Sequence, residues 1–268
     1  MIRDITIGQY YAVDSPIHRL DPRVKLAGTL LYIVGLFLVK GFVGYLFGAL
    51  FLAGVIRLSK VPFRYMVRGL KAIVLLLLIS VSFNIFLTKG TPIIQFTKNI
   101  AITWEGLSLA ARMATRLVLL IISSTIMTLT TTPNDLTDGL EKGLGFLKVV
   151  KVPVHEIAMM MSIALRFIPI LIEETDKIMK AQIARGADFE SGNLIQKVKS
   201  MVPLLVPLFI SAFRRAGDLA MAMEARCYHG GEGRTKMKPL IYQKQDCIAY
   251  GVLAAFLAGC LVLRHFGL

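Results

Sequence analysis

Long apolar blocks separated by shorter polar and basic stretches dominate the chain. They run from Leu26 to Val39, Gly41 to Ile56, Ala72 to Leu87, Leu107 to Thr132 and Cys247 to Leu263. A membrane-spanning helix needs roughly 17 to 25 residues, so the shorter blocks must extend into flanking residues, where Lys and Arg stems snorkel toward the headgroups. Lys40-Gly41, followed by Gly44 and Gly48, interrupts the first stretch and predicts two helices with a tight turn between them. The pattern predicts an all-α integral membrane protein with about five transmembrane helices. Residues 1–132 form a bundle with spans at about 26–39, 41–56, 72–87 and 107–132, and residues 245–268 supply the final span.

Between them, residues 133–244 read differently. Thr132-Pro133-Asn134-Asp135 offers an N-cap, a proline at the first helical position and an acid in the first turn. A short helix should follow and end near Gly143 or Gly145. Two long helices are predicted at about 153–186 and 201–227. Ile157 to Ile172 is apolar except for Ser162 and Arg166, and Met201 to Phe213 except for Ser211, whereas both carboxyl-terminal halves are charged. Neither apolar part spans a bilayer comfortably, so both helices are expected to lie at the inner membrane surface. Pro169, Pro203 and Pro207 should bend them. At roughly 1.5 Å per residue, about 24 Å of helix follows Pro169 up to Arg185 and about 28 Å follows Pro207 up to Arg226.

Charge fixes an orientation for this layout. With the amino terminus and residues 57–71 and 133–244 on the cytoplasmic side, 25 of the 31 Lys and Arg residues lie inside, as the positive-inside rule requires. The carboxyl terminus is then external. The net charge of +14 has this cause and does not call for nucleic acid, because no basic-aromatic surface pattern accompanies it. Met1 to Pro22 carries Asp4, Asp14 and Asp21 and lacks an apolar core, so no cleaved leader is expected. Cys227, Cys247 and Cys260 show no metal-ligand or disulfide spacing. Arg112 and Arg116 share a face at the start of the fourth span, and snorkelling accounts for them without a further role.

Catalytic patterns are sought without success. "HEIAM" at His155 to Met159 lacks the second histidine of a zinc protease, and "GGEGRT" at Gly230 to Thr235 lacks phosphate-loop spacing and follows a helix where a strand is required. "KGLGF" places two glycines at a helix end, which suits a cap. No metal site, cofactor or catalytic residue is expected. An ordinary substrate-translocating permease would need polar residues along a pathway, and the spans offer little beyond Ser80, Ser82, Asn84 and the stretch from Ser123 to Thr132. A membrane-embedded enzyme would need a paired base and nucleophile or a metal cluster.

Two features of the long helices remain. Met159, Met160, Met161, Met179, Met201, Met221 and Met223 are seven of the twelve methionines. Such residues serve either as core filler or as an adaptable binding face. Both helices also end on Ala-Arg and a small residue: Ala184-Arg185-Gly186 and Ala225-Arg226-Cys227. A cation in the last turn stabilises the helix dipole by about 0.3 to 1 kcal/mol. Alternatively, an arginine fork framed by small residues suits close contact with a carboxylate on another protein.

The segments "RLDPRVKL" (19–26), "PVHEIAMMMSIALRFIPILIEETDKIMKAQIARGADF" (153–189), "PLLVPLFISAFRRAGDLAMAMEARCY" (203–228) and "GRT" (233–235) resemble the transmembrane T component of energy-coupling factor transporters, the EcfT or CbiQ-like family. The resemblance implies a non-catalytic energy-coupling scaffold in the cell membrane. It would link two ABC-type ATPase subunits, which hydrolyse ATP, to a membrane substrate-binding S component, or to several interchangeable ones, for vitamin or metal-ion uptake. Residues 133–244 would be its cytoplasmic coupling domain. Carried over by position, Arg185 within Ala184-Arg185-Gly186 and Arg226 within Ala225-Arg226-Cys227 would dock the ATPases, the second motif having cysteine where glycine is usual. Met159, Met160, Met161 and Met201 would lie toward the S component.

Overall fold

A computed structural model describes residues 10–88, 91–97, 100–187, 189, 193–231, 237 and 239–266. The described elements are α1 (Pro22–Leu38), α2 (Phe42–Ser59), α3 (Phe63–Leu87), β1 (Pro92–Thr97), β2 (Ile100–Thr103), α4 (Trp104–Thr130), α5 (Pro133–Gly143), a 3-10 turn (Gly145–Val150), α6 (Val154–Ala184), α7 (Leu194–Glu224) and α8 (Lys244–His265). The chain divides into two compact units, Gly8–Gly139 with Leu240–Leu268, and Leu140–Pro239.

The first unit is a helical bundle in which α1 packs on α2, α4 and α8, and α3 packs on α4. The expected break between α1 and α2 is present, and Gly44 explains how the chain turns there: a Cβ at this position would lie 1.8 Å from Val39 Cγ1. Phe256 of α8 fills the centre, its ring centroid 4.4 Å from that of Phe51 and 5.4 Å from that of Tyr32. Gly35 admits it, since a Cβ there would come within 2.8 Å of the ring. Small residues permit this close approach where the surrounding lipid offers helices little hydrophobic incentive to associate. Leu30, Phe37, Leu46 and Val252 face outward, as a lipid-exposed surface requires.

The "RLDPRVKL" segment fastens the start of α1 to the start of α8. Asp21 caps α1 by accepting from Arg23 N at 2.8 Å, and its carboxylate takes Nε and Nη2 of Arg23 at 3.0 and 2.8 Å. Asp246, 2% exposed, accepts from the backbone N–H of Asp21 at 2.9 Å and of Gln243 at 2.7 Å. Arg23 also lies over the Tyr242 ring at 3.9 Å and donates to the Leu240 carbonyl at 3.2 Å. Burial pushes the Asp21 carboxyl up, but the hydrogen bonds and charge of Arg23 outweigh it and hold the group below its ordinary value of 3.8.

Three differences from the sequence expectation stand out. A two-stranded antiparallel hairpin, with Ile94 opposite Ile102, precedes α4. Its β-branched residues at 93, 94, 100 and 102 are the signal that the span-based reading passed over. Next, α7 begins at Leu194, ahead of the expected 201, because Asn193 and Gln196 form a capping box. Finally, the five described helices long and apolar enough to cross a membrane are α2, α4, α6, α7 and α8, which is a different five. At 17 residues α1 stands at the lower limit of the spanning range, and α3 is bent near residue 72, its two parts qualifying only as a pair. Windows in α6 and α7 qualify because they extend beyond the strictly apolar stretches read from the sequence.

Candidate docking site on two helix ends

Within the second unit, α6 and α7 run antiparallel. Gln182 Nε2 donates to the Pro203 carbonyl at 3.2 Å. Glu174 accepts from Ser211 Oγ, and its Oε2 takes Arg215 Nη2 at 2.8 Å. His155 near the start of α6 meets Gly231 beyond the end of α7. As the residue numbers fall along α6 they rise along α7. The Gln182 contact has a direct cause in the sequence. Pro207 has no N–H, so the carbonyl four residues earlier, that of Pro203, loses its helical donor. The Gln182 amide replaces it.

Both Ala-Arg ends close in the same way. At the end of α6, Gly186 N donates to Ile183 O at 2.9 Å and Ala187 N to Gln182 O at 3.0 Å. At the end of α7, Cys227 N donates to Glu224 O at 2.9 Å and Tyr228 N to Met223 O at 3.0 Å. This pair of bonds is the Schellman motif, and it requires a left-handed residue after the arginine. Gly186 has φ +88° and Cys227 φ +54°. The small third residue is therefore set by backbone conformation, and Cys227 occupies a position that costs an L-residue about 1–2 kcal/mol.

Ala184, Arg185, Gly186, Ala225, Arg226 and Cys227 are all exposed. Neither arginine side chain forms a hydrogen bond or ion pair among the described residues. A guanidinium on a rigid helix end, flanked by residues with little or no side chain and with no partner among the described residues, can offer its whole fork to an external carboxylate. Because the helices are antiparallel, the two guanidinium groups sit at opposite ends of the pair. From Pro203, level with Gln182, to Arg226 is on the order of 35 Å of helix.

The methionines divide by the same geometry. Met160 and Met161 are exposed and Met159 is half-buried. Met201 is exposed but belongs to the other end of the pair, near Gln182. The four do not form one patch. By register, Met159, Met160 and Met161 are level instead with Met221 and Met223, beside the Arg226 end. Sequence spacing missed this grouping because it depends on the antiparallel pairing.

The profile of the family described as CbiQ, Cobalt transport protein, matches residues 14–237. The energy-coupling factor transporter transmembrane protein EcfT of Clostridium kluyveri is 60% identical over 251 residues, covering 93% of each chain. The chain belongs to the EcfT family. The EcfT proteins of Ruminiclostridium cellulolyticum, 50% identical over 265 residues and 99% of each chain, and Bacillus subtilis, 48% identical over 260 residues, 96% of this chain and 98% of that one, give the same assignment. It is the transmembrane component of an energy-coupling factor transporter and a multi-pass membrane protein.

Proposed function

We propose that this EcfT-family chain is the non-catalytic coupling scaffold of an ABC-type importer. Arg185 and Arg226 each dock one of two ATPase subunits, where ATP is hydrolysed, and the membrane bundle and methionine-bearing helices hold a substrate-binding S component. The cargo class is a vitamin or a metal ion. The amino terminus and residues 133–244 face the cytoplasm, in keeping with the distribution of Lys and Arg. The single observation that carries the docking reading is the repetition of one terminal geometry: two exposed arginines at Schellman ends, without a side-chain partner among the described residues and each followed by a left-handed small residue.

Each docking arginine should form a desolvated pair with an acidic groove residue, and reversing one partner of such a pair typically costs about 2–5 kcal/mol or more. Arg185→Glu and Arg226→Glu should therefore each weaken ATPase binding strongly in a co-purification assay, and the double variant should lose uptake while still inserting. Arg→Lys should be partly tolerated, since lysine keeps the charge and loses the fork. A stoichiometric ATPase complex with both charge reversals in place would leave helix capping as the whole role of these residues.

A further inference from the structure

Two sequence patterns that carry no chemistry of their own meet in the structure. The histidine of "HEIAM" and the first two glycines of "GGEGRT" belong to one contact. His155 Nδ1 lies 2.9 Å from Glu141 Oε1, both side chains being largely buried, and this fixes the plane of the imidazole. The opposite edge of the ring faces Gly231. A Cβ at Gly231 would lie 2.2 Å from Cδ2 and 2.9 Å from Nε2 of His155, so the backbone approaches the ring as closely as glycine allows. Gly230, at φ +103°, turns the chain into this contact.

The consequence falls on Arg226. Arg226 follows the end of α7, its own N–H donating to Met223 O at 3.1 Å, and the bonds of Cys227 and Tyr228 hold the turn after it back onto α7. A few residues later, the chain is held again by His155 through Gly231. Arg226 thus begins a short turn, residues 226–231, that is held onto α7 by its first three amides and onto α6 at Gly231. We propose that His155 is a positioning residue for docking at Arg226: oriented by Glu141, it clamps Gly231 and keeps the arginine-bearing turn in its binding geometry before a partner arrives. This inference rests on the docking reading above. Preordering of this kind lowers the conformational cost of association.

The test uses the full chain with its ATPase pair and reads two quantities: hydrogen exchange at the Cys227 and Tyr228 amides, and the affinity for the ATPases. The Ala187 amide at the other docking end is the internal reference. His155→Ala should speed exchange at Cys227 and Tyr228, leave Ala187 unchanged and weaken ATPase binding about tenfold, the effect of freeing roughly one residue's backbone. Gly231→Ala attacks the same contact from the other side and should do the same. His155→Asn should restore both readouts toward the parent, because its amide atoms overlie Nδ1 and Cδ2 of the imidazole, the two atoms that meet Glu141 and Gly231. Unchanged exchange in His155→Ala, unchanged affinity, or an asparagine no better than alanine would overturn the positioning role. Arg226→Glu separates the two levels. If it abolishes docking while His155→Ala does not affect it, the positioning inference alone fails; if it leaves docking intact, the docking reading fails.

Discussion

Exchanging the left-handed residues at the two helix ends should move their stabilities in opposite directions. An L-residue at positive φ costs about 1–2 kcal/mol, whereas glycine there carries about 0.5–1 kcal/mol of additional chain entropy. The difference is about 0.5–1 kcal/mol in favour of glycine. Among the described residues, nothing beyond Gly186's own chain neighbours and local helix backbone lies within 4 Å of a Cβ added there, so the cost of Gly186→Ala is conformational. The substitution should raise the local opening constant about two- to fivefold, and Cys227→Gly should lower it by a similar factor. Amide exchange reads both directly, through Ala187, which donates to Gln182 O, and Tyr228, which donates to Met223 O. Faster exchange at Ala187 in the first variant and slower exchange at Tyr228 in the second is the expected pair. If both substitutions shift exchange in the same direction, left-handed geometry does not control these ends.

Other expected outcomes test separate links. In a Cys247→Ser, Cys260→Ser background, a water-soluble maleimide should label Cys227, and bound ATPases should slow that reaction; equal rates with and without them would place Arg226 outside the interface. A topology reporter fused after His229 should read as cytoplasmic and one fused after Phe266 as external, with the reverse pattern overturning the orientation. Asp246→Ala should leave the buried N–H of Asp21 without its acceptor, at about 1–3 kcal/mol, remove the partly buried bond from Gln243 N–H, and lower the thermal midpoint in detergent far more than Asp246→Asn. Because the folded pKa of Asp21 is lowered, its contribution should be fully present above its ordinary pKa and be lost only as pH falls through the lowered value; a thermal midpoint that fell already near neutral pH in an Asp21-dependent way would contradict this.

What could be read from the sequence was local. Lys40-Gly41 marked the turn between α1 and α2, Thr132-Pro133 marked the start of α5, where Thr132 Oγ1 accepts from Asp135 N at 3.1 Å, and the Ala-Arg-small repeats marked two ends that share one hydrogen-bond pattern. The capping box Asn193–Gln196 and the β-branched run of the hairpin were also local, but the search for apolar spans outweighed them. The remainder is not local at all. Nothing near Gln182 signals that its amide will serve a carbonyl freed by Pro207, and His155 gives no sign of Gly231 or Gly231 of His155. Such pairings arise only when the antiparallel register of α6 and α7 is known.

The bond between Asp21 and Asp246 also says something about how the molecule is made. Its two residues are 225 positions apart, and the intervening chain includes the whole Leu140–Pro239 unit. At roughly 5–20 residues per second of synthesis, the amino-terminal partner waits about 10–45 s for the other to leave the ribosome. During that interval α1 is present without α8, and the groove that Phe256 will fill between Tyr32 and Phe51 stands open. The bundle is therefore the last part to close although it is the first to emerge, and a chain that stalls before α8 leaves an unfinished bundle alongside a completed α6–α7 hairpin.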